Sequence, residues 1–130
     1  MATSELWRFL PVGYLFTVAF ETPVLLLMLS RRHPFGRRLL AGLWLTACTY
    51  PVVVLVLPPL FANSTRAAYL AVAEVFAPVA ECALFWLAFG VRGVARRETL
   101  RDFAVITAAN LLSFLAGEVA GAYDWFGLFR

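Results

Sequence analysis

Four long apolar stretches, separated by short polar or arginine-rich pieces, account for almost the whole chain. They lie at about residues 8–30, 39–61, 67–90 and 102–122. A helix that crosses a bilayer needs about 20 consecutive, mostly apolar residues, and each stretch is long enough. The pattern predicts an all-α polytopic membrane protein: a four-transmembrane-helix antiparallel bundle with short loops, forming a single domain over residues 1–130.

The composition supports the same prediction and argues against a soluble protein. The chain has 130 residues, of which 62% are hydrophobic and 15% charged, and its mean hydropathy is +0.81. A soluble domain of this size needs more polar surface, so the bilayer is the expected solvent. The net charge of +3 does not indicate nucleic acid, because most of the basic residues flank the apolar stretches.

The basic residues are all arginines, and they predict the orientation of the bundle. Eight of the eleven lie in two loops. The positive-inside rule places both loops in the cytoplasm and the N- and C-termini outside. A chain rich in arginine and free of lysine is typical of a GC-rich bacterium, which suggests the bacterial cytoplasmic membrane. The arginines expected to set topology and contact lipid headgroups are Arg31, Arg32, Arg37, Arg38, Arg92, Arg96, Arg97 and Arg101; His33 is expected to contact headgroups too.

Five polar residues lie inside the predicted helices and are the candidate functional residues. They are Glu21, Glu74, Glu81, Asn110 and Glu118. A charged side chain at the bilayer centre costs about 2.5–3.5 kcal/mol on insertion scales, so such residues usually face the bundle interior. The only arginine within the predicted helices, Arg8, lies at the very end of the first one, so no arginine or lysine is placed at membrane depth to neutralise them. They therefore require protons, a bound cation, or a positively charged partner chain.

The depths of these residues predict a cavity that is open on one side only. At a rise of about 1.5 Å per residue, Glu21, Glu81 and Asn110 lie roughly 12–14 Å from the cytoplasmic helix ends. Glu74 and Glu118 lie nearer the outer face, and the segments on the cytoplasmic side of the deeper group are almost wholly apolar. We therefore expect a polar cavity that opens to the outside and is sealed toward the cytoplasm.

Prolines occur close to the glutamates in three of the predicted helices. Pro23, Pro51 and Pro78 cannot donate a backbone hydrogen bond, so each frees a carbonyl oxygen one turn earlier. These oxygens could coordinate a cation at interrupted helices. The alternative is that the prolines only bend the helices, as is common in membranes.

Small residues recur every four positions in the fourth helix, at Ala109, Ser113, Gly117 and Gly121. This spacing allows two helices to approach closely. Packing within the bundle is the favoured interpretation, and a homodimer interface is the alternative.

Metal and catalytic chemistry have weaker support. Cys48 and Cys82 lie at similar depth and could hold a soft metal together with Glu81, although buried cysteines more often behave as small hydrophobic residues. No nucleophile elbow, phosphate-binding glycine loop or zinc-protease signature is present. The sequence therefore favours a non-enzymatic protein, assigns no catalytic residue and identifies no cofactor.

Two hypotheses for function remain. In the first, the carboxyl groups bind or transport protons, cations or a cationic small solute that enters from outside. In the second, the chain is a non-catalytic accessory subunit of a larger membrane complex, and its polar residues face a partner's helix. The expected partners are the lipid bilayer and either further copies of the chain or other membrane subunits, with no nucleic acid.

Overall fold

The computed structural model of the protein describes residues 3–90 and 96–123, and every regular element within them is helical. Helix α1 spans Thr3–Met28. Helix α2 runs from Phe35 to Leu60 and is α-helical over Phe35–Pro51, π-helical over Val52–Val56 and α-helical again over Leu57–Leu60. Helix α3 spans Arg66–Phe89 and helix α4 spans Arg96–Tyr123.

The predicted four-helix membrane fold is confirmed, because each of the four helices contains a segment long and apolar enough to cross a bilayer. The helix bounds differ from the prediction at three places. Helix α1 begins at Thr3 rather than near residue 8, α2 begins at Phe35 rather than near residue 39, and α4 begins at Arg96 rather than at Asp102. Hydropathy does not mark polar first turns, although arginine and glutamate are good helix formers. The earlier start of α4 places Asp102 inside a helix.

The prolines affect the helices less than the sequence suggests. Helices α1 and α3 continue without a break through Pro23 and Pro78. Only after Pro51 does the geometry change, because the π-helical turn begins at the next residue. A proline removes the hydrogen bond to the carbonyl four residues earlier, and a π turn is one way for a helix to absorb that loss.

The apolar core occupies one half of the bundle. We name the two ends of the bundle after the connections found there: the 29–34 end joins α1 to α2, and the 61–65 end joins α2 to α3. The core lies toward the 29–34 end and consists of Leu25, Leu29, Ala41, Leu45, Phe85, Val105, Ile106 and Ala109. Large apolar side chains on the outer surface remain exposed, among them Leu27 at 81% and Leu87 at 80%. Such a surface is suited to lipid.

Two glycines hold α1 close to α2. A β-carbon added at Gly42 would overlap the side chain of Thr22, and one added at Gly13 would overlap Tyr50. Small residues allow this close approach between membrane helices. In α4 the small residue Ala109 is buried in the core, as packing inside the bundle requires, whereas a β-carbon added at Gly117 would meet nothing within 4 Å. Arg92 and the tail at 124–130 lie outside the described residues.

Candidate functional site

The carboxyl group of Glu21 is buried at mid-bundle, where three helices meet. Glu21 belongs to α1 and is 3% exposed. Its Oε2 accepts a hydrogen bond of 2.9 Å from Thr46 Oγ1 of α2, and its Oε1 lies 2.6 Å from Ser113 Oγ of α4. Both oxygens therefore have a partner within the chain.

Glu81 of α3 has a similar environment from the other side of the bundle. It is 2% exposed, and its Oε1 lies 2.7 Å from Thr49 Oγ1 of α2. Its Oε2 accepts a hydrogen bond of 2.7 Å from Asn110 Nδ2 of α4, which also donates to the carbonyl of Ile106 at 3.0 Å. Both acceptors need an N–H, so they fix the orientation of the Asn110 amide. We refer to Glu21 and Glu81 as the carboxyl pair.

All five candidate residues from the sequence line one cavity of about 280 Å³, together with residues from all four helices. The carboxyl pair and Asn110 are buried at its inner end, near the middle of the bundle. From there the cavity extends toward the 61–65 end, where its lining includes Glu74 and Glu118. Its wall is aromatic in large part, with Phe9, Phe16, Tyr50, Tyr69 and Phe114.

The exposed end of the cavity carries an ion pair that the sequence analysis did not anticipate. Arg66 Nη2 lies 2.7 Å from Glu118 Oε1, with the side chains 70% and 39% exposed. The sequence placed Arg66 in a turn and left Glu118 without a basic partner, which is wrong. Helix α3 begins at Arg66, and the Thr65 hydroxyl caps it by accepting from the Ala68 N–H at 3.1 Å. An exposed pair of this kind contributes about 0–1 kcal/mol to stability.

Glu74 lies between the ion pair and the buried carboxyl pair, on the same side of α3 as Glu81. It lines the cavity and is neither fully buried nor exposed. Within the described part of the chain, no side chain or backbone group donates a hydrogen bond to its carboxyl group. Glu74 is therefore the acidic group of the cavity that lacks a hydrogen-bonding partner there.

A second buried polar group closes the bundle at the 29–34 end. Asp102 of α4 is 1% exposed and accepts hydrogen bonds from the Ser30 N–H at 2.7 Å and the Ser30 hydroxyl at 2.9 Å. Arg32 Nη2 lies 3.2 Å from Asp102 Oδ2, and His33 Nε2 lies 3.0 Å from the same oxygen. We call these four residues the Asp102 cluster. It joins the end of α1 and the following connection to α4.

The expectation that His33 contacts lipid headgroups is wrong. The residue is 1% exposed, and its ring packs edge-on against Phe85, with 4.9 Å between centroids. Burial lowers the pKa of the His33 imidazole below its usual value near 6.5, against the opposite effect of Asp102, and Arg32 and Arg37 lower it further. His33 Nε2 lies 3.0 Å from Asp102 Oδ2 and 3.1 Å from Arg32 Nε, and Nδ1 lies 3.4 Å from Arg37 Nη1, so the ring is held between one carboxylate and two guanidinium groups.

Two of the arginines that were expected to contact lipid headgroups donate hydrogen bonds to backbone carbonyls at the end of α1 and in the connection that follows it. Arg38 donates to the carbonyls of Leu26 at 2.8 Å, Ser30 at 3.1 Å and His33 at 2.8 Å. Arg101 donates to the carbonyl of Met28 at 3.2 Å. The last carbonyls of a helix have no partner inside it, so these arginines satisfy them. Arg31, Arg96 and Arg97 are exposed.

The suggested soft-metal site does not form. Cys48 is exposed on the outer surface of α2, and the Cys82 thiol donates to the carbonyl of Phe103 at 3.7 Å. Among the residues that the structure describes, no group of three histidine, cysteine, aspartate or glutamate side chains is placed to hold a metal ion.

The sequence prediction did not include Thr46, Thr49, Ser113 or Asp102 in the site. A signal existed for the three hydroxyl residues, because Thr46 and Thr49 are three positions apart and Ser113 follows Asn110 by three. Residues three apart share a helix face, so a polar face could have been read on α2 and α4. Asp102 gave no such signal, since it was taken as the first residue of its helix.

These observations define the protein as an integral membrane protein built as a bundle of four helices, with a carboxyl-lined cavity inside it. Comparison with protein-family models, with curated protein sequences and with solved structures finds no match for this chain.

Proposed function

We propose that this protein binds a small cationic solute in the carboxyl-lined cavity and that the solute enters from the outer side of the membrane. The observation that carries the proposal is the excess of acidic groups there. Four glutamates line the cavity. The only arginine in its described lining, Arg66, is already paired with Glu118.

Electrostatics favours a cation near the carboxyl pair. Two unit charges 4 Å apart interact by about 4 kcal/mol at the effective dielectric constant of 20 that suits partly buried sites. Glu21 and Glu81 are 2–3% exposed, so bulk water screens a bound cation only weakly there. Glu74 adds a further carboxyl group between the pair and the exposed end of the cavity.

The size and wall of the cavity favour a small organic cation over a bare metal ion. Five aromatic rings line it, and the face of an aromatic ring attracts a cation by about 0.5–2 kcal/mol. The volume of about 280 Å³ lies near the lower end of the roughly 300–1,000 Å³ typical of small-molecule sites. An ammonium compound carrying one ring is a suitable size.

The direction of entry follows from the arginine distribution. The positive-inside rule assigns the 29–34 end to the cytoplasm and the 61–65 end to the outside. The cavity reaches the 61–65 end, where Arg66 is 70% exposed. Toward the other end lie the apolar core and the Asp102 cluster, so this conformation has no polar route onward through the described part of the bundle.

The arrangement favours this proposal over the accessory-subunit hypothesis. A polar surface that binds a partner's helix would leave its donors and acceptors unpaired in the isolated chain. Glu21, Glu81 and Asn110 are instead 2–6% exposed and bind one another's helices. The burial of the carboxyl pair and its contacts within the chain support an internal site.

Calorimetric titration of the protein in lipid nanodiscs with benzyltrimethylammonium chloride tests the proposal. We expect saturable binding that Glu21→Gln weakens at least about tenfold, since a tenfold loss of affinity requires only about 1.4 kcal/mol of the roughly 4 kcal/mol of charge attraction. The matched control is Glu98→Gln, at the opposite end of the bundle in the first turn of α4, which should bind like the wild type. Equal affinity in Glu21→Gln, equal affinity for neutral benzyl alcohol, or no saturable binding would contradict the proposal.

A further inference from the structure

The hydroxyl groups of Thr49 and Ser113 each have two acceptors within reach but only one proton to donate. Thr49 Oγ1 lies 2.7 Å from Glu81 Oε1 and 3.1 Å from the carbonyl oxygen of Leu45. Ser113 Oγ lies 2.6 Å from Glu21 Oε1 and 3.0 Å from the carbonyl oxygen of Asn110. In each case one acceptor is a buried carboxyl group and the other is a backbone carbonyl of the hydroxyl's own helix.

This geometry allows a complete set of hydrogen bonds whether the carboxyl group is ionised or protonated. When Glu81 is ionised, the Thr49 hydroxyl donates to it. When Glu81 carries a proton on Oε1, the carboxyl group donates to the Thr49 oxygen, and the hydroxyl turns its own proton toward Leu45. A hydroxyl can donate one hydrogen bond and accept two, and back-bonding to a carbonyl one turn earlier is common for threonine and serine in helices. No heavy atom has to move.

The second oxygen of each carboxyl group, Oε2, does not face a hydroxyl that can turn to another acceptor. Glu81 Oε2 faces the amide nitrogen of Asn110, whose second hydrogen bond to Ile106 fixes its orientation. Glu21 Oε2 accepts from Thr46, whose hydroxyl has no second acceptor among the described residues. A proton is therefore best held on Oε1, the oxygen that faces the rotating hydroxyl.

The surroundings provide a reason for the pair to hold protons when no cation is bound. Carboxylates close together in a low-dielectric interior repel one another. The charged and titratable groups that line the cavity around the pair come from three helices and are Tyr50 of α2, Arg66, Tyr69 and Glu74 of α3, and Glu118 of α4. Arg66 is bound to Glu118, so it does not compensate the buried pair.

We propose that Thr49 and Ser113 act as rotating hydroxyl switches that let the carboxyl pair exchange protons for the bound cation. The inference rests on the proposed function, because the displacing cation is the solute bound there. In the exchange, the O–H bond of a protonated carboxyl group breaks and its proton leaves to water in the cavity and then to the outer solution. The hydroxyl turns from its backbone carbonyl to the new carboxylate, and the cation supplies the positive charge that the proton supplied before.

Thr49 and Ser113 are positioning residues in this scheme, and a conservative substitution isolates their role. Thr49→Val keeps the shape of the side chain and removes the hydroxyl. The matched control is Thr22→Val, because Thr22 is also a buried threonine, beside Glu21, and its hydroxyl has no hydrogen-bond partner among the described residues. Circular dichroism checks that each variant retains the helical fold.

The first measurement is the number of protons released per cation bound. Titration with benzyltrimethylammonium in two buffers of different ionisation enthalpy gives this number directly. We expect net proton release in the wild type and in Thr22→Val, and at least a twofold smaller release in Thr49→Val and Ser113→Ala. Binding without proton release in the wild type, or release that is unchanged in both hydroxyl variants, would overturn the exchange while leaving the proposed function intact.

A second measurement does not need the cation. Infrared difference spectra recorded across a pH titration in lipid detect the C=O stretch of protonated carboxyl groups. We expect a titrating band in the wild type that loses intensity in Glu81→Gln and in Glu21→Gln. If the probe cation fails to bind, the proposed function is wrong and the exchange of protons for that cation is wrong with it, whether or not the band is present. If the cation binds and the band is absent, the hydroxyl switch is wrong and the proposed function stands.

Discussion

Replacing Asp102 with asparagine keeps the shape of the side chain and removes its charge from a buried position. Asp102 is 1% exposed. One of its oxygens accepts the Ser30 N–H at 2.7 Å, and an asparagine carbonyl oxygen can keep this bond. The other oxygen is replaced by an NH₂ group that faces the Ser30 hydroxyl, Arg32 Nη2 and His33 Nε2.

The three groups differ in how they can respond. The Ser30 hydroxyl can accept from the new amide, and so can His33 Nε2 in the tautomer that carries its proton on Nδ1. Arg32 has no such alternative, since a guanidinium carries donors only. Its side chain is 14% exposed, and its Nη1 already has no hydrogen-bond partner among the described residues.

The loss of the carboxylate partner of Arg32 determines how far the free energy of unfolding should fall. Removing one partner of a buried ion pair typically costs about 3–5 kcal/mol, because the other charge is left uncompensated. Arg32 retains limited contact with solvent, so the lower end, about 3 kcal/mol, is expected for Asp102→Asn. The same change of acid to amide in the exposed ion pair, Glu118→Gln, should cost about 0–1 kcal/mol.

Reversible unfolding by sodium dodecyl sulfate from mild detergent micelles, followed by circular dichroism, measures both free energies of unfolding. The two variants carry equivalent substitutions on one helix and differ chiefly in burial. If Asp102→Asn lies within about 1 kcal/mol of Glu118→Gln, a difference typical of exposed pairs, the Asp102 cluster does not stabilise the 29–34 end and the reasoning is refuted.

Two further predictions concern residues around the core. Because burial lowers the pKa of His33, the unfolded chain binds more protons there; stability should fall as the pH drops below about 6.5, the usual histidine value. His33→Gln should reduce this pH dependence. The same unfolding assay measures it from about one pH unit above the usual histidine pKa to about one unit below it. An unchanged pH dependence would contradict the conclusion that His33 causes it. Gly42→Ala should cost about 1–3 kcal/mol, because the new methyl overlaps Thr22. Gly36→Ala, in the exposed first turn of the same helix with nothing within 4 Å, should change the stability by no more than about 0.5 kcal/mol. Equal effects of the two glycine substitutions would refute the close packing of α1 and α2.

The amino-acid sequence predicts the features of this protein that a local property of the chain determines. The four helices were predicted because lipid cannot hydrogen-bond a polar backbone, so each crossing must be a helix whose apolar length fits the bilayer. The five polar residues were placed on one inner surface because charge is costly against lipid, and all five line the cavity. Depth along each helix follows from the rise per residue alone.

What the tertiary structure decided is which polar groups meet. Ser113 and Glu21 are 92 positions apart, and Ser30 and Asp102 are 72 apart. A hydrogen bond requires its two atoms to lie within about 3 Å, and that depends on the rotation and register of helices that the sequence does not specify. For this reason the sequence identified Glu21 and Glu81 but not the hydroxyl groups that bind them. It also assigned His33 to the membrane surface, whereas the packing of α1 against α4 buries it beside Asp102.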